Sequence, residues 1–196
     1  MNTSTRLIVV LTGIAVISGA ILSFFNILTA ERIENYKLEQ LRQSVAMVMP
    51  GTQDYETLTL SGKVFYLGKD AQGNPTGVAF KAVGNGFQSK LEILVGMDLE
   101  MKNILALKVL SQMETPGLGT KIETDPTNKE HPGWFMAQFE NLNTLNGIRY
   151  VKNEAPDQEG EIQAITGATI SSKSVVEILN AAISGYREVF LKREVQ

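Results

Sequence analysis

The stretch Thr166-Gly167-Ala168-Thr169-Ile170-Ser171-Ser172 follows a short apolar-alternating run, Glu161 to Ile165, and opens the last amphipathic stretch, Ser172 to Lys192. It predicts a turn of small residues at the start of a helix. The first N–H groups of a helix have no intrahelical partner and the positive end of the helix dipole lies there, so such a start favours a phosphate. Gly167 and Ala168 would let the backbone approach a ligand closely, and Thr169 would place its hydroxyl beside the phosphate.

The same stretch has a simpler interpretation, because Ser and Thr residues before a helix commonly cap it. Ser171 or Ser172 would be that cap. The stretch is not a Walker A loop, since it lacks the four-residue gap and the Gly-Lys-Ser/Thr ending. Local chemistry alone therefore leaves two possibilities open, a phosphate site and a plain helix cap.

A second block, Glu114-Thr115-Pro116-Gly117-Leu118-Gly119, lies about fifty residues earlier and follows a predicted strand, Ile104 to Leu110. Pro116 fixes φ, and the two glycines permit backbone conformations that are closed to other residues. A loop of this composition can lie flat against a ring system and offer N–H groups to the carbonyls of that ring. Taken alone, Thr-Pro-Gly is only a turn signal.

In this order and at this spacing, the two blocks resemble those of the FMN-binding domain family. That family includes the G subunits of Rnf electron-transport complexes and the C subunits of sodium-pumping NADH:quinone reductases. The final Thr of the family's Ser/Thr-Gly-Ala-Thr motif carries FMN through a phosphodiester bond, which a flavin transferase installs. The matching residue here is Thr169. The family usually has an acidic residue three positions before the motif, where this chain has Gln163.

The resemblance implies FMN as the cofactor, covalently bound to Thr169, and no residue that is catalytic by itself. Around the phosphate it implies Thr166, Gly167, Ala168, Ile170, Ser171 and Ser172. Beside the ring it implies Glu114, Thr115, Gly117, Leu118 and Gly119. Trp134 is the one tryptophan of the chain and has two interpretations, a core aromatic or a residue that stacks on the flavin.

The implied function is that of an electron-carrying flavoprotein subunit. It would belong to a membrane-bound ferredoxin:NAD⁺ oxidoreductase of the Rnf type, coupled to Na⁺ or H⁺ translocation. Its implied partners are the other membrane and peripheral Rnf subunits and the flavin transferase. One alternative is the C subunit of a Na⁺-translocating NADH:quinone reductase, which shares both blocks. Another is a non-redox, membrane-anchored interaction domain in which Thr-Gly-Ala-Thr only caps a helix.

The N-terminal region carries an uncharged stretch of about 22 residues, Leu7 to Leu28, which is long enough to cross a hydrocarbon core. A cleaved signal peptide is the alternative, but its apolar region is usually shorter. Arg6 precedes the stretch and Arg32, Lys37 and Arg42 follow it, a distribution that favours a cytoplasmic C-terminal domain. The resemblance implies the opposite, a single-pass protein of the inner membrane with its FMN domain outside the cytoplasm.

Composition excludes several other chemistries. The chain has no cysteine, so disulfides, iron–sulfur clusters and thiolate metal sites on this chain are excluded. Its one histidine, His131, lies in a turn-rich segment without carboxylates at metal-binding spacing, and no metal site is expected. The net charge of −3 gives no reason to expect nucleic acid as a partner.

The predicted fold class is α+β, an N-terminal transmembrane helix followed by a small antiparallel sheet with a C-terminal helix. The expected divisions are a tail at 1–6, a transmembrane helix at 7–28, a membrane-proximal helix at 29–50 and an FMN-binding domain at 51–196. Alternation and turn signals predict four strands before the second block, namely 63–67, 76–83, 88–95 and 104–110. A short helical or irregular element is expected at 134–139 and a further strand within 142–151.

Overall fold

The structure, a computed structural model, describes residues 2–192, apart from the side chain of Glu31. The chain divides into two compact units, Met1–Arg42 and Gln43–Gln196. From Thr3 onward the first unit is helical, and the second holds the end of that helix, a sheet, the remaining helices and the hydrophobic core.

Helix α1 runs without a break from Thr3–Val48, a length of 46 residues. Its part Thr3–Ala30 contains an 18-residue window with a mean hydropathy of 2.5 and is long and apolar enough to cross a membrane. The large apolar side chains of this part are exposed, as expected of a segment whose solvent is lipid. No proline or glycine interrupts residues 29–48, so the two predicted helices form a single one.

The second unit is built on a five-stranded antiparallel sheet in which every strand pairs with its neighbour in sequence. The strands are β1 (Asp54–Leu60), β2 (Lys63–Lys69), β3 (Pro75–Asn85), β4 (Lys90–Met97) and β5 (Ile104–Ser111). The predictions of β2 to β5 and of the α+β fold class are confirmed. Strand β1 lies at the edge of the sheet and was missed, because its side chains are mostly exposed and its apolar alternation is limited to Leu58 and Leu60.

The C-terminal helix, α3 (Thr169–Lys192), packs against β3 and closes the core. The ring of Tyr186 stacks on Phe80 with centroids 4.2 Å apart, and Phe65 meets Tyr186 edge-on at 5.0 Å. Close approach near the start of the helix depends on Gly84, since a Cβ at that position would lie 2.4 Å from Ile178 Cγ1. This packing brings the first turns of α3 to the end of β3 and to the turn that follows it.

The segment between β5 and α3 is largely irregular. It contains a 3-10 turn at Gly119–Ile122, a short helix α2 (Trp134–Ala137), and a parallel pair formed by β6 (Arg149–Val151) and β7 (Glu161–Gln163). Of the two alternatives expected for 134–139, helical or irregular, the structure forms the helix, over Trp134–Ala137. Within the range 142–151, where a strand is predicted, only residues 149–151 form one. Residues 141–144 instead make isolated hydrogen bonds to residues 102–104 and do not form a continuous ladder.

Candidate cofactor-binding site

Helix α3 begins at Thr169, three residues earlier than the sequence suggested. The carbonyl of Ala168 accepts the N–H of Ser172 at 3.0 Å, which places residues 169–171 in the first turn. Within residues 2–192, the backbone N–H groups of Thr169, Ile170 and Ser171 have no hydrogen-bond partner. Gly167, two residues before the helix, has φ +84, a conformation that favours glycine. The start of α3 is therefore a cradle of three free donors, beside the exposed residues Thr166 and Gly167.

Neither serine of the motif caps the helix, so the interpretation as a plain Ser cap is wrong. The buried Ser172 hydroxyl accepts the N–H of Ile165 at 3.0 Å and donates to the carbonyl of Ala168 at 3.1 Å. The Ser171 hydroxyl donates to Glu114 at 2.6 Å. Because the N–H of Ser172 is also bonded, this residue supports the cradle from behind and has no free donor for a phosphate.

The two sequence blocks meet at the start of α3. They line a depression of about 280 Å³ together with Phe87, from the turn between β3 and β4. A Cβ at Gly167 would lie 3.3 Å from Leu118 Cδ2, so the two loops are in contact. The lining residues are Phe87, Thr115, Leu118, Gly119, Gly167, Ala168, Thr169, Ile170 and Ser171. Thr169 is half-buried here, and its hydroxyl has no hydrogen-bond partner among the described residues.

Glu114 is buried, with 3% of its surface exposed, and its carboxylate points into the protein. It accepts the N–H groups of Phe87 at 3.2 Å, Gln88 at 3.0 Å and Ser89 at 3.2 Å, besides the Ser171 hydroxyl. Burial raises the pKa of Glu114, but the hydrogen bonds from Ser171 and from this turn outweigh it and hold the pKa below its usual value. Glu114 thus lies behind the depression, within the protein, although the sequence placed it beside the ring.

The two glycines of the Glu-Thr-Pro-Gly-Leu-Gly block have different structural roles. Gly117 is exposed, has φ +73 and faces open space. Gly119 is buried, and a Cβ there would lie 2.7 Å from Glu114 Cβ and 2.9 Å from the Ser171 hydroxyl oxygen. Gly117 is required by the turn, whereas Gly119 makes room for the contact between Glu114 and Ser171.

Trp134 lies on the wall of a larger groove of about 1030 Å³, which Gln163 and Thr166 also line. The indole N–H donates to Asp125 at 3.4 Å, and the ring meets Phe135 edge-on. The hydroxyl of Thr127, above all, lowers the pKa of Asp125 to about 2, so this acceptor is ionised at neutral pH. Trp134 is half-buried. It therefore contributes to the edge of the core and also presents ring surface to the groove.

Sequence reasoning missed Phe87 as a candidate site residue. It lies in a turn between two strands, where a single exposed aromatic carries no periodic signal, and it is 55% exposed. Leu118 and Ile170 line the same depression and are also largely exposed. Among the residues that the structure describes, no group of three or more acidic or histidine side chains could hold a metal ion.

Together, the fold and the site define a class: a small α+β domain that follows an apolar helix long enough to span a membrane and has free N–H groups at the start of its last helix. The sequence model of the FMN-binding domain family matches residues 86–184, which contain the turn with Phe87, both blocks and most of α3. The chain belongs to this family.

Relatives of similar length match most of the chain. The G subunit of the ion-translocating oxidoreductase complex of Methanosarcina acetivorans is 28% identical over 187 residues, covering 91% of this chain and 92% of that protein. The G subunit of the Na⁺-translocating ferredoxin:NAD⁺ oxidoreductase complex of Acetobacterium woodii is 25% identical over 201 residues, covering 94% and 92%. Both proteins are thus named as subunits of ion-translocating oxidoreductases.

Two solved structures share the fold. The C subunit of the Na⁺-translocating NADH-quinone reductase from Parabacteroides distasonis has a TM-score of 0.64 at 18% identity, covering 83% of this chain and 96% of that one. NqrC of Shewanella oneidensis has a TM-score of 0.58 at 18% identity, covering 78% and 74%. At this level of identity the likeness shows the fold alone.

Proposed function

We propose that this chain is the G subunit of an Rnf-type ferredoxin:NAD⁺ oxidoreductase and carries electrons through FMN bound covalently to Thr169. The observation that supports it best is the convergence of both family blocks at the start of α3. There, the N–H groups of three residues and the hydroxyl of Thr169 have no hydrogen-bond partner among residues 2–192. The named relatives favour this assignment over the quinone-reductase paralogue, which this chain resembles in fold.

The residues present fit the phosphate of FMN. A phosphate at the start of α3 would receive the N–H groups of Thr169, Ile170 and Ser171 and would meet the positive end of the helix dipole. The backbone turn at Gly167 leaves this face open. The nearby carboxylate of Glu114 accepts the N–H groups of the β3–β4 turn and the Ser171 hydroxyl. These four donors are therefore not available to the phosphate.

The surroundings of the cradle also fit a flat, largely apolar ring. We propose that Thr115, Gly117 and Leu118 border the ring together with Phe87, and that Trp134 faces it from the larger groove. Phe87 and Leu118 are about half exposed although they are apolar, which is costly unless something covers them. The depression and the groove together offer a volume of the order that cofactors of this size occupy in proteins.

When bound, FMN supplies reversible one-electron or two-electron redox chemistry. The chain fixes its position and its surroundings. An ester bond at Thr169 prevents dissociation, which suits a relay that must not lose its carrier between turnovers. Phe87, Leu118 and Ile170 exclude water from the tether, and a drier site strengthens every electrostatic interaction within it. The coupled translocation of Na⁺ or H⁺ would belong to the assembled complex, whose other subunits are the proposed partners, with a flavin transferase for maturation.

Electron transfer through this chain can be followed in the assembled complex. After mixing with reduced ferredoxin, the flavin on Thr169 should become reduced at least as fast as the complex turns over, and NAD⁺ should reoxidise it. Stopped-flow absorbance compared with the steady-state rate is the measurement. A flavin that is reduced more slowly than turnover would exclude this chain from the electron path.

For the membrane arrangement, we propose a tail at 1–6, residues 7–28 in the inner membrane, a membrane-proximal helix at 29–50, and the FMN-binding domain at 51–196 outside the cytoplasm. The apolar part of α1 predicts that the chain stays with membranes after a carbonate wash. Protease added to intact spheroplasts should digest the FMN-binding domain. Protection of that domain would mean instead that it lies in the cytoplasm. Arg32, Lys37 and Arg42 would then set the orientation, in agreement with the positive-inside rule.

A further inference from the structure

The turn between β3 and β4 is an anion-binding nest that the protein fills with its own side chain. Three consecutive N–H groups, those of Phe87, Gln88 and Ser89, converge on the carboxylate of Glu114 at 3.0–3.2 Å. Successive backbone N–H groups of this kind bind anions in many proteins. The nest and the start of α3 are adjacent, since Ser171 touches Glu114. Two anion-binding cradles therefore lie side by side, and the carboxylate occupies only one.

Ser171 has two hydrogen-bond donors, its hydroxyl and its backbone N–H, and they differ in what they bond. Its hydroxyl gives its one proton to Glu114 at 2.6 Å, within the protein. Its N–H belongs to the first turn of α3 and has no partner among the described residues. Because a hydroxyl has a single proton, this side chain does not donate to a phosphate while it is bonded to Glu114. The contact fixes the turn whose N–H groups face outward.

We propose that Glu114 is a positioning residue for the flavin tether, acting through Ser171 and Phe87. The carboxylate joins three segments that line the depression around Thr169, namely the β3–β4 turn, the loop after β5 and the first turn of α3. This inference rests on the proposed function, because the group that it positions is the attached flavin.

Two effects follow from this arrangement. Loss of the contact frees the first turn of α3 and the Phe87 wall, so the three N–H groups no longer present one geometry to the phosphate, and flavin attachment slows. Loss of the charge removes a fixed negative charge close to a group that becomes more negative on reduction. Since that charge opposes electron uptake, the flavin potential becomes more positive when Glu114 is neutralised.

The experiment uses the full-length chain, produced with a flavin transferase, and three variants: Glu114→Gln, Ser171→Ala and the double variant. Glu177→Gln is the matched control, because it removes an exposed carboxylate from the same helix. The rate of flavin incorporation is followed by denaturing-gel fluorescence, and the flavin midpoint potential is measured in samples of equal occupancy. The absorption spectrum of the attached flavin is recorded in the same samples.

Both single variants should load flavin several-fold more slowly than the control, and the double variant no more slowly than Glu114→Gln. The absorption bands should shift in both single variants, but only Glu114→Gln should move the potential to more positive values. If the double variant instead loads flavin more slowly by the product of the two single-variant effects, Glu114 does not act through Ser171. If Glu114→Gln fails to fold, normal loading with an unshifted spectrum in Ser171→Ala overturns the inference. An unmodified chain that takes up no flavin would instead refute the proposed function.

Discussion

Replacing Thr169 with alanine should remove all covalently bound flavin from the protein, while the domain stays folded. The threonine hydroxyl is the proposed ester oxygen, and it makes no hydrogen bond within the described residues, so its loss breaks no hydrogen bond there. Alanine also has a high helix propensity and suits the first turn of α3. In-gel fluorescence of the denatured protein measures the flavin, and far-UV circular dichroism measures the fold.

Thr166→Ala is the control for this substitution, because Thr166 lies in the same motif and also has a hydroxyl without a partner in the described part of the chain. We expect this variant to load flavin more weakly but still covalently. Fluorescence that persists in Thr169→Ala after denaturation would show that another residue carries the flavin.

Gly119→Ala should have the second largest effect, on stability and flavin loading together. Its Cβ would lie 2.7 Å from Glu114 Cβ and 2.9 Å from the Ser171 hydroxyl oxygen, both of which are buried. Overpacking of this kind costs about 1–3 kcal/mol, and here it also separates the two residues that fix the start of α3. The free energy of unfolding in urea and the flavin occupancy of the same sample are the measurements.

Gly133→Ala is the matched control, since a Cβ at Gly133 has open space around it and φ is −92. It should leave the free energy of unfolding and the flavin occupancy nearly unchanged. If Gly119→Ala behaves like this control, then the loop after β5 is not held against α3 in the way described.

The strands and the C-terminal helix could be predicted because their apolar residues recur at the period of the element. The start of α3 could not, since Thr169 and Ile170 are β-branched and the run of hydroxyls resembles a cap. Packing decides the outcome: the Ser172 hydroxyl bonds Ile165 and Ala168, which fixes the helix start three residues earlier. Strand β1 was missed because an exposed edge strand needs no apolar alternation.

The site was predictable as two motifs but not as one arrangement. The sequence does not show that Gly84 lets α3 approach β3, and this approach brings Ser171 to Glu114 across 57 positions of the chain. For the same reason Phe87 could not be identified, since only the fold carries the β3–β4 turn to the motif. Glu114, which the motif predicts to border the ring, is buried and does not line the depression.

The central claim is tested most directly by the intact mass of the denatured full-length protein, produced with and without a flavin transferase. The account predicts one flavin-sized increment, present only with the transferase, and its assignment by peptide fragmentation to Thr169. An unchanged mass in the presence of an active transferase, or an increment on a different residue, would contradict it.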